Sequence, residues 1–168
     1  MKILVCGGAG FIGSAFIRNY LNNNPKDKII NLDSLTIGSN LKNLKKIEQN
    51  KNYQFIKGDI KNQKVVNDLV RDVDTIINFA AESHVDRSIA NPKPFIETNI
   101  LGTYSLLEAT KKYDSLFIHV STDEVYGDAE NEDSFTEKSI INPSNPYSAT
   151  KASADHLVSA YHRTYGIK

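Results

Sequence analysis

A glycine-spaced turn placed directly after an apolar run constrains this chain more than any other feature. Residues 2–6 read Lys-Ile-Leu-Val-Cys, a run of the kind found in a buried parallel strand. Gly7-Gly8-Ala9-Gly10-Phe11-Ile12-Gly13 follows at once, with glycines at 7, 10 and 13 in a G-x-x-G-x-x-G spacing rather than G-x-G-x-x-G. The physics is the same in kind: a tight turn leaves the strand, bare backbone can approach a pyrophosphate, and the last glycine lets a helix lie close to the sheet. Ile12, Ala15, Phe16, Tyr20 and Leu21 then recur at helical spacing, and the N-terminus of such a helix offers free N–H groups to an anion. A turn that merely joins strand to helix is the plain alternative. The next apolar run, 28–32, ends on Asp33, where a carboxylate can grip a ribose diol. That acid would repel a 2′-phosphate, so NAD is expected over NADP; a helix or turn cap is the simpler role for Asp33.

The rest of the chain repeats strand and helix. The pattern predicts strands at 2–6, 28–32, 53–57, 74–79 and 116–120 and helices at 11–23, 61–71, 93–112 and 146–165. A lysine- and asparagine-rich stretch at 38–52 reads as a solvated, partly helical face with no assigned function, and 121–145 as a long polar loop. Alternation of this kind implies an α/β fold, a Rossmann-like doubly wound parallel sheet with flanking helices and right-handed crossovers. The expected domain organisation is one NAD-binding Rossmann domain over 1–168, truncated, because another strand should follow the last helix. Twenty basic and twenty acidic residues cancel, so nothing points to nucleic acid or an anionic membrane. No apolar run approaches membrane-spanning length and the N-terminus is already a strand, which fits a cytoplasmic protein. The single cysteine, Cys6, allows no internal disulfide and is expected to be a buried, inert thiol. His84, His119, His156 and His162 lack metal-site companions, so no metal is expected.

The chemistry is carried by residues at the ends of strands and by the last helix. Tyr147 and Lys151 stand four apart, on one helix face. An ammonium beside a phenol stabilises the phenolate and is expected to lower its pKa, making a base for a sugar or alcohol hydroxyl. Alone, Tyr-x-x-x-Lys is common on amphipathic helices; beside a glycine-rich nucleotide turn it is not idle. Ala80 and Ala81, after the fourth strand, let a cofactor lie against backbone, and Asp59-Ile60, after the third, can read an adenine edge. Ser121-Thr122-Asp123-Glu124 follows the fifth, a hydroxyl-rich and doubly acidic segment whose plain alternative is a helix start or solvent-facing turn.

Gly7–Gly13, Ala80 to Ser88, Thr98-Asn99, Ser121 to Gly127 and Pro146 to Ser153 together carry a resemblance. The chain resembles the extended short-chain dehydrogenase/reductase family over almost its whole length, and within it the N-terminal half of the dTDP-glucose 4,6-dehydratases. The glycine and Tyr/Lys motifs mark only the broad family; the Thr-Asp-Glu triplet is more specific. Cys6 stands where the family often has threonine.

The resemblance implies NAD as cofactor and a nucleotide-sugar substrate, dTDP-glucose, dehydrated to its 4-keto-6-deoxy derivative. Tyr147, with Lys151, would take the 4-hydroxyl proton, Thr122 would orient the 4-oxygen, Glu124 would take the C5 proton, and Asp123 would protonate the leaving 6-hydroxyl. It implies cofactor contacts from Gly7, Gly10, Phe11, Ile12, Gly13, Asp33, Ser34, Leu35, Thr36, Asp59, Ile60, Ala80, Ala81, Ser83, Thr98, Tyr147 and Lys151. Ser83, His84 and Thr122 would lie nearest the sugar. It also implies a homodimer of the full-length protein through helices 93–112 and 146–165, although Ile96, Ile100, Tyr104, Leu107, Leu157 and Val158 could all face the sheet instead. Two alternatives stay open: a UDP-sugar epimerase or decarboxylase of the same family, against which Asp123-Glu124 argues, and an inactive NAD-binding fragment.

Overall fold

The computed structural model describes residues 1–129 and 134–168, so the middle of the 121–145 loop lies outside the described residues. Five parallel strands form one sheet: β1 (Lys2–Cys6), β2 (Lys28–Asp33), β3 (Tyr53–Lys57), β4 (Thr75–Asn78) and β5 (Leu116–His119). Their order is β3-β2-β1-β4-β5. The chain winds outward from β1 to β3, then returns to the far side of β1 with β4. The order therefore reverses between β1 and β4, which pair from Ile3 with Thr75 to Cys6 with Asn78. Open α/β sheets have their crevice at such a reversal, beyond the carboxyl ends of the strands.

Both faces of the sheet are covered, as the continuous apolar runs require. Alternate β1 residues divide between two cores. Leu4 and Cys6 join Leu32, Val66, Val70, Ile76, Leu106 and Leu107 on one face. Ile3 and Val5 join Ile17, Leu21, Ile29, Leu44 and Ile77 on the other. Helix α1 (Phe11–Asn23) covers the second face; α2 (Gln63–Val70), α5 (Thr103–Tyr113) and α6 (Pro146–Tyr165) contribute to the first. Cys6 is fully buried and burial pushes its thiol pKa well up, as an inert core residue should behave.

Three local expectations need correction. The helix predicted at 93–112 begins as α4 (Lys93–Phe95), widens into a π-helical stretch (Ile96–Gly102), and becomes regular only in α5. There Asn99 is drawn inward, donating to the Glu82 carbonyl and the Thr150 hydroxyl and accepting from the Glu82 N–H. Helix α3 (Val85–Ala90) occupies a segment with no predicted element, and a 3-10 turn, Asp123–Tyr126, interrupts the predicted loop. Neither was legible by period because each is shorter than two full helical turns. Elsewhere ends shift by one or two residues; α2 starts later than predicted because the Asn62 side chain accepts from the Val65 N–H and caps it.

Candidate active site

The glycine turn leaves β1 at the reversal point, and its geometry explains the residue choice. Gly7 has φ +78°, and a Cβ there would stand 2.6 Å from the Ala80 nitrogen. A Cβ on Gly13 would strike the Gly7 carbonyl. Both positions thus need bare backbone, one for conformation and one for the approach of α1. The N-cap of α1 is Gly10, with no side-chain cap and no acid in the first turn. The first helical N–H groups are therefore left for a bound anion. Phe11 and Ile12, 86% and 61% exposed, stand beside them at the mouth of a cleft of about 520 Å³. A cradle of this form fits the pyrophosphate of a dinucleotide.

The cleft is lined by Gly7, Gly10, Phe11, Ile12, Gly13, Asp33, Ser34, Thr36, Asp59, Ile60, Ala80, Ala81, Ser83, Thr98, Tyr147 and Lys151, all expected from sequence. Leu35 is not on it. Its side chain packs into the core under α1, its φ is +58°, and its N–H donates to Asp33. His84, Thr122, Asp123 and Glu124 also lie off the cleft wall; His84 is the N-cap residue of α3.

Asp33 plays the capping role as well as facing the cleft. Its Oδ2 accepts from the Ala9 N–H at 2.8 Å, while Oδ1 accepts from the Leu35 N–H at 2.8 Å and the Ser39 hydroxyl at 2.9 Å. A carboxylate oxygen accepts about two hydrogen bonds, so Oδ1 is filled and Oδ2 keeps one free lone pair. The carboxylate that faces the cleft therefore also braces the glycine turn.

The far wall is built by α6. Asn145 caps it in a reciprocal capping box with Ser148, and Pro146 opens the helix. This places Tyr147 in the first turn and Lys151 one turn on, both buried, at 8% and 4% exposure. The Tyr147 N–H donates to the Ser88 hydroxyl at 3.0 Å, fastening the start of α6 to α3. Lys151 Nζ donates to the Val120 carbonyl at 2.6 Å, and burial lowers its pKa to about 8, against the attraction of Asp155.

One electrostatic expectation is overturned here. The pKa of Tyr147 is raised, not lowered. Burial is the main cause; the nearby Thr122 hydroxyl pulls the other way, and the charges of Glu124 and Asp123 add to the rise. The Lys151 ammonium is spent on the Val120 carbonyl rather than on the phenol.

The acidic triplet meets this wall through the 3-10 turn. Thr122 caps it, with Oγ1 3.2 Å from Asp123 Oδ1 and 3.4 Å from the Glu124 N–H. Glu124 Oε2 accepts from the Asn145 side chain at 3.2 Å. The residue that caps the Tyr147 helix thus also holds Glu124, and a hydroxyl and two carboxylates gather near the phenol, beyond the residues that line the cleft. Sequence reasoning gave no role to Asn145, Ser88 or Asp155. For Asp155 a signal existed, since it continues the four-residue spacing of Tyr147 and Lys151.

A doubly wound sheet, a bare-backbone turn at its reversal and a Tyr-x-x-x-Lys pair on the opposite wall define a Rossmann-fold domain of the short-chain dehydrogenase/reductase type. Comparison with known proteins narrows this further. The chain belongs to the GDP-mannose 4,6 dehydratase family, which matches residues 4–168. It is 49% identical to a dTDP-glucose 4,6-dehydratase of Escherichia coli, over 99% of this chain and 52% of that protein. It is equally 49% identical to the low-salt glycan biosynthesis protein Agl12 of Haloferax volcanii, over 99% of this chain and 54% of that one. The crystal structure of DesIV, a dTDP-glucose 4,6-dehydratase from Streptomyces venezuelae solved with NAD bound, superposes with a TM-score of 0.96 at 46% identity, covering 99% of this chain and 53% of that one. The chain thus spans about half the length of the curated relatives it matches.

Proposed function

We propose that the full-length protein binds NAD in this cleft and converts dTDP-glucose to dTDP-4-keto-6-deoxyglucose and water. The observation that carries the reading is the convergence of Thr122, Asp123 and Glu124 on Tyr147, which lines the same cleft as the phosphate cradle. The donor set fits the cofactor: bare N–H groups for the pyrophosphate, Asp33 for a ribose hydroxyl, and Ala80 and Ala81 as a flat wall. Bound there, NAD would accept a hydride from C4 of the sugar and return it to C6.

The chain's own residues handle the protons. Tyr147 takes the 4-hydroxyl proton, and Thr122, close enough to that phenol to favour its ionised form, orients the 4-oxygen. The buried phenol resists ionisation, so base action needs the positive charge of Lys151 and of an oxidised nicotinamide beside it. Once C4 is a ketone, the C5 proton is acidic. Glu124, steadied by Asn145, removes it, and Asp123 delivers a proton to the departing 6-hydroxyl. The two acids require opposite protonation states; Asp123 sits against the Thr122 hydroxyl and Glu124 against the Asn145 amide, so their surroundings differ. His84 and Ser83 are assigned to the sugar's edge of the site.

Supplying dTDP-glucose to the full-length protein and following the 4-keto-6-deoxy sugar tests the reading. Epimerised sugar with no dehydrated product would refute it in favour of an epimerase. A homodimer in the cytoplasm completes the proposal. Its support is the exposed apolar set Ile96, Leu101 and Tyr104; Leu107, Leu157 and Val158 pack on the core instead and are removed from the expected interface. Sedimentation of the full-length protein, with a monomer as the refuting result, tests it.

A further inference from the structure

The face of α6 that carries Tyr147 and Lys151 carries a third polar side chain one turn on, Asp155. It is half-buried, and every polar neighbour it has comes from the end of β5 or from α6 itself. Asp155 Oδ2 accepts from the Ser121 hydroxyl at 2.5 Å. Oδ1 lies 3.5 Å from His119 Nε2. That separation is too long for a good hydrogen bond, and Nε2 has no other partner among the described residues. The histidine is neutral, because burial first and the Lys151 charge second hold its pKa down to about 3. The Asn78 amide nitrogen faces Nδ1 at 3.4 Å, so Nδ1 accepts and the ring proton sits on Nε2, aimed at the carboxylate.

The last residue of β5 and the two before the catalytic triplet thus all face α6. His119 meets Asp155, the Val120 carbonyl accepts from Lys151, and Ser121 donates to Asp155. The next residue is Thr122, whose hydroxyl lies near the Tyr147 phenol and favours its ionised form. A carboxylate at 155 therefore does two things. It clamps the segment that delivers the Thr122 hydroxyl to the phenol, and it puts negative charge behind an ammonium that burial would otherwise neutralise.

We propose that Asp155 is a positioning residue for the Tyr147–Lys151 pair, its carboxylate pinning the end of β5 to α6 and supplying the counter-charge for the Lys151 ammonium. This rests on the reading of Tyr147 and Lys151 as the proton-abstracting pair. Other titratable groups face the same region: His119 from β5, Asp123 and Glu124 from the 3-10 turn, Glu82 from the loop after β4, and His156 from α6. Only Asp155 acts on Lys151 with an attraction that favours its charged form.

The test follows the Lys151 side chain directly, by NMR titration of the full-length protein, and in parallel records the pH profile of cofactor reduction by dTDP-glucose in a single turnover. In Asp155→Asn the Lys151 titration should move down by about one pH unit. The alkaline limb of the rate profile should follow it, since the active form needs a charged lysine, with roughly a tenfold loss on the alkaline side of the wild-type plateau. Asp155→Glu keeps the charge and should restore both curves. Ser121→Ala, which frees Oδ2 without removing charge, should shift the titration in the same direction by less. An unchanged Lys151 titration in Asp155→Asn and Ser121→Ala overturns the proposal, as does a loss of rate that is uniform with pH and not rescued by Asp155→Glu. A shifted titration with an unshifted rate profile would support the counter-charge and sink instead the assignment of Tyr147 as base.

Discussion

Gly7→Ala separates conformation from collision at the heart of the nucleotide turn. Gly7 and Gly38 both have positive φ, +78° and +92°. They differ in surroundings: a Cβ on Gly7 meets Ala80 N at 2.6 Å, Ala80 Cα at 2.7 Å and Phe79 C at 2.8 Å, whereas nothing lies within 4 Å of one on Gly38. An L-residue in the left-handed region costs about 1–2 kcal/mol. Alanine recovers about 0.4–1 kcal/mol by restricting the unfolded chain. Gly38→Ala should therefore cost about 0–1.6 kcal/mol net. At Gly7 the contacts are backbone atoms, which cannot rotate away, so β1 and the loop after β4 must separate; that overpacking adds about 1–3 kcal/mol. The expected cost of Gly7→Ala is about 1–5 kcal/mol, with loss of NAD affinity because the displaced backbone is the cradle. Urea unfolding of both variants and the wild type, with NAD titrations beside them, measures the difference. Should Gly7→Ala lie within about 0.5 kcal/mol of Gly38→Ala, the steric argument is wrong.

Further outcomes follow from the site and from the buried histidine. Tyr147→Phe in the full-length protein should keep NAD affinity within about twofold while turnover falls by about 10²–10⁴; turnover equal to wild type would refute the base. Glu124→Gln should oxidise the sugar but stall before elimination, so reduced cofactor accumulates in a single turnover, and its failure to appear contradicts the role. His119 has a folded pKa of about 3 against 6.5 unfolded. The unfolded chain therefore binds the extra proton between those values, and stability, full above pH 6.5, is lost as pH falls toward 3. The total is roughly 5 kcal/mol. The gap in unfolding free energy between wild type and His119→Gln should shrink across that window; parallel curves would show that this histidine is not the cause.

Much of the site was legible because its requirements are local. A glycine spacing after an apolar run specifies bare backbone at a turn, and the four-residue interval of Tyr147 and Lys151 puts both on one face of α6 in whatever setting that helix finds. The π-helical stretch was not legible, because Asn99 is held by Glu82 and Thr150, seventeen and fifty-one residues away. Nor was the double duty of Asp33, whose partners Ala9 and Ser39 are brought to it by the loops on either side.

From the amino-acid order alone came the alternation of strands and helices, the winding it implies, the glycine turn, Asp33 at the end of β2, and the Tyr147–Lys151 pair. These depend on period, spacing and residue type, which are properties of neighbours along the chain. What only the folded molecule decided was charge and company. The Tyr147 phenol is harder to ionise than its lysine neighbour implied, Lys151 is turned to the Val120 carbonyl, and Asp155 stands behind it. Burial and hydrogen-bond partners set these energies, and both arise from segments far apart in sequence meeting where β5 ends against α6.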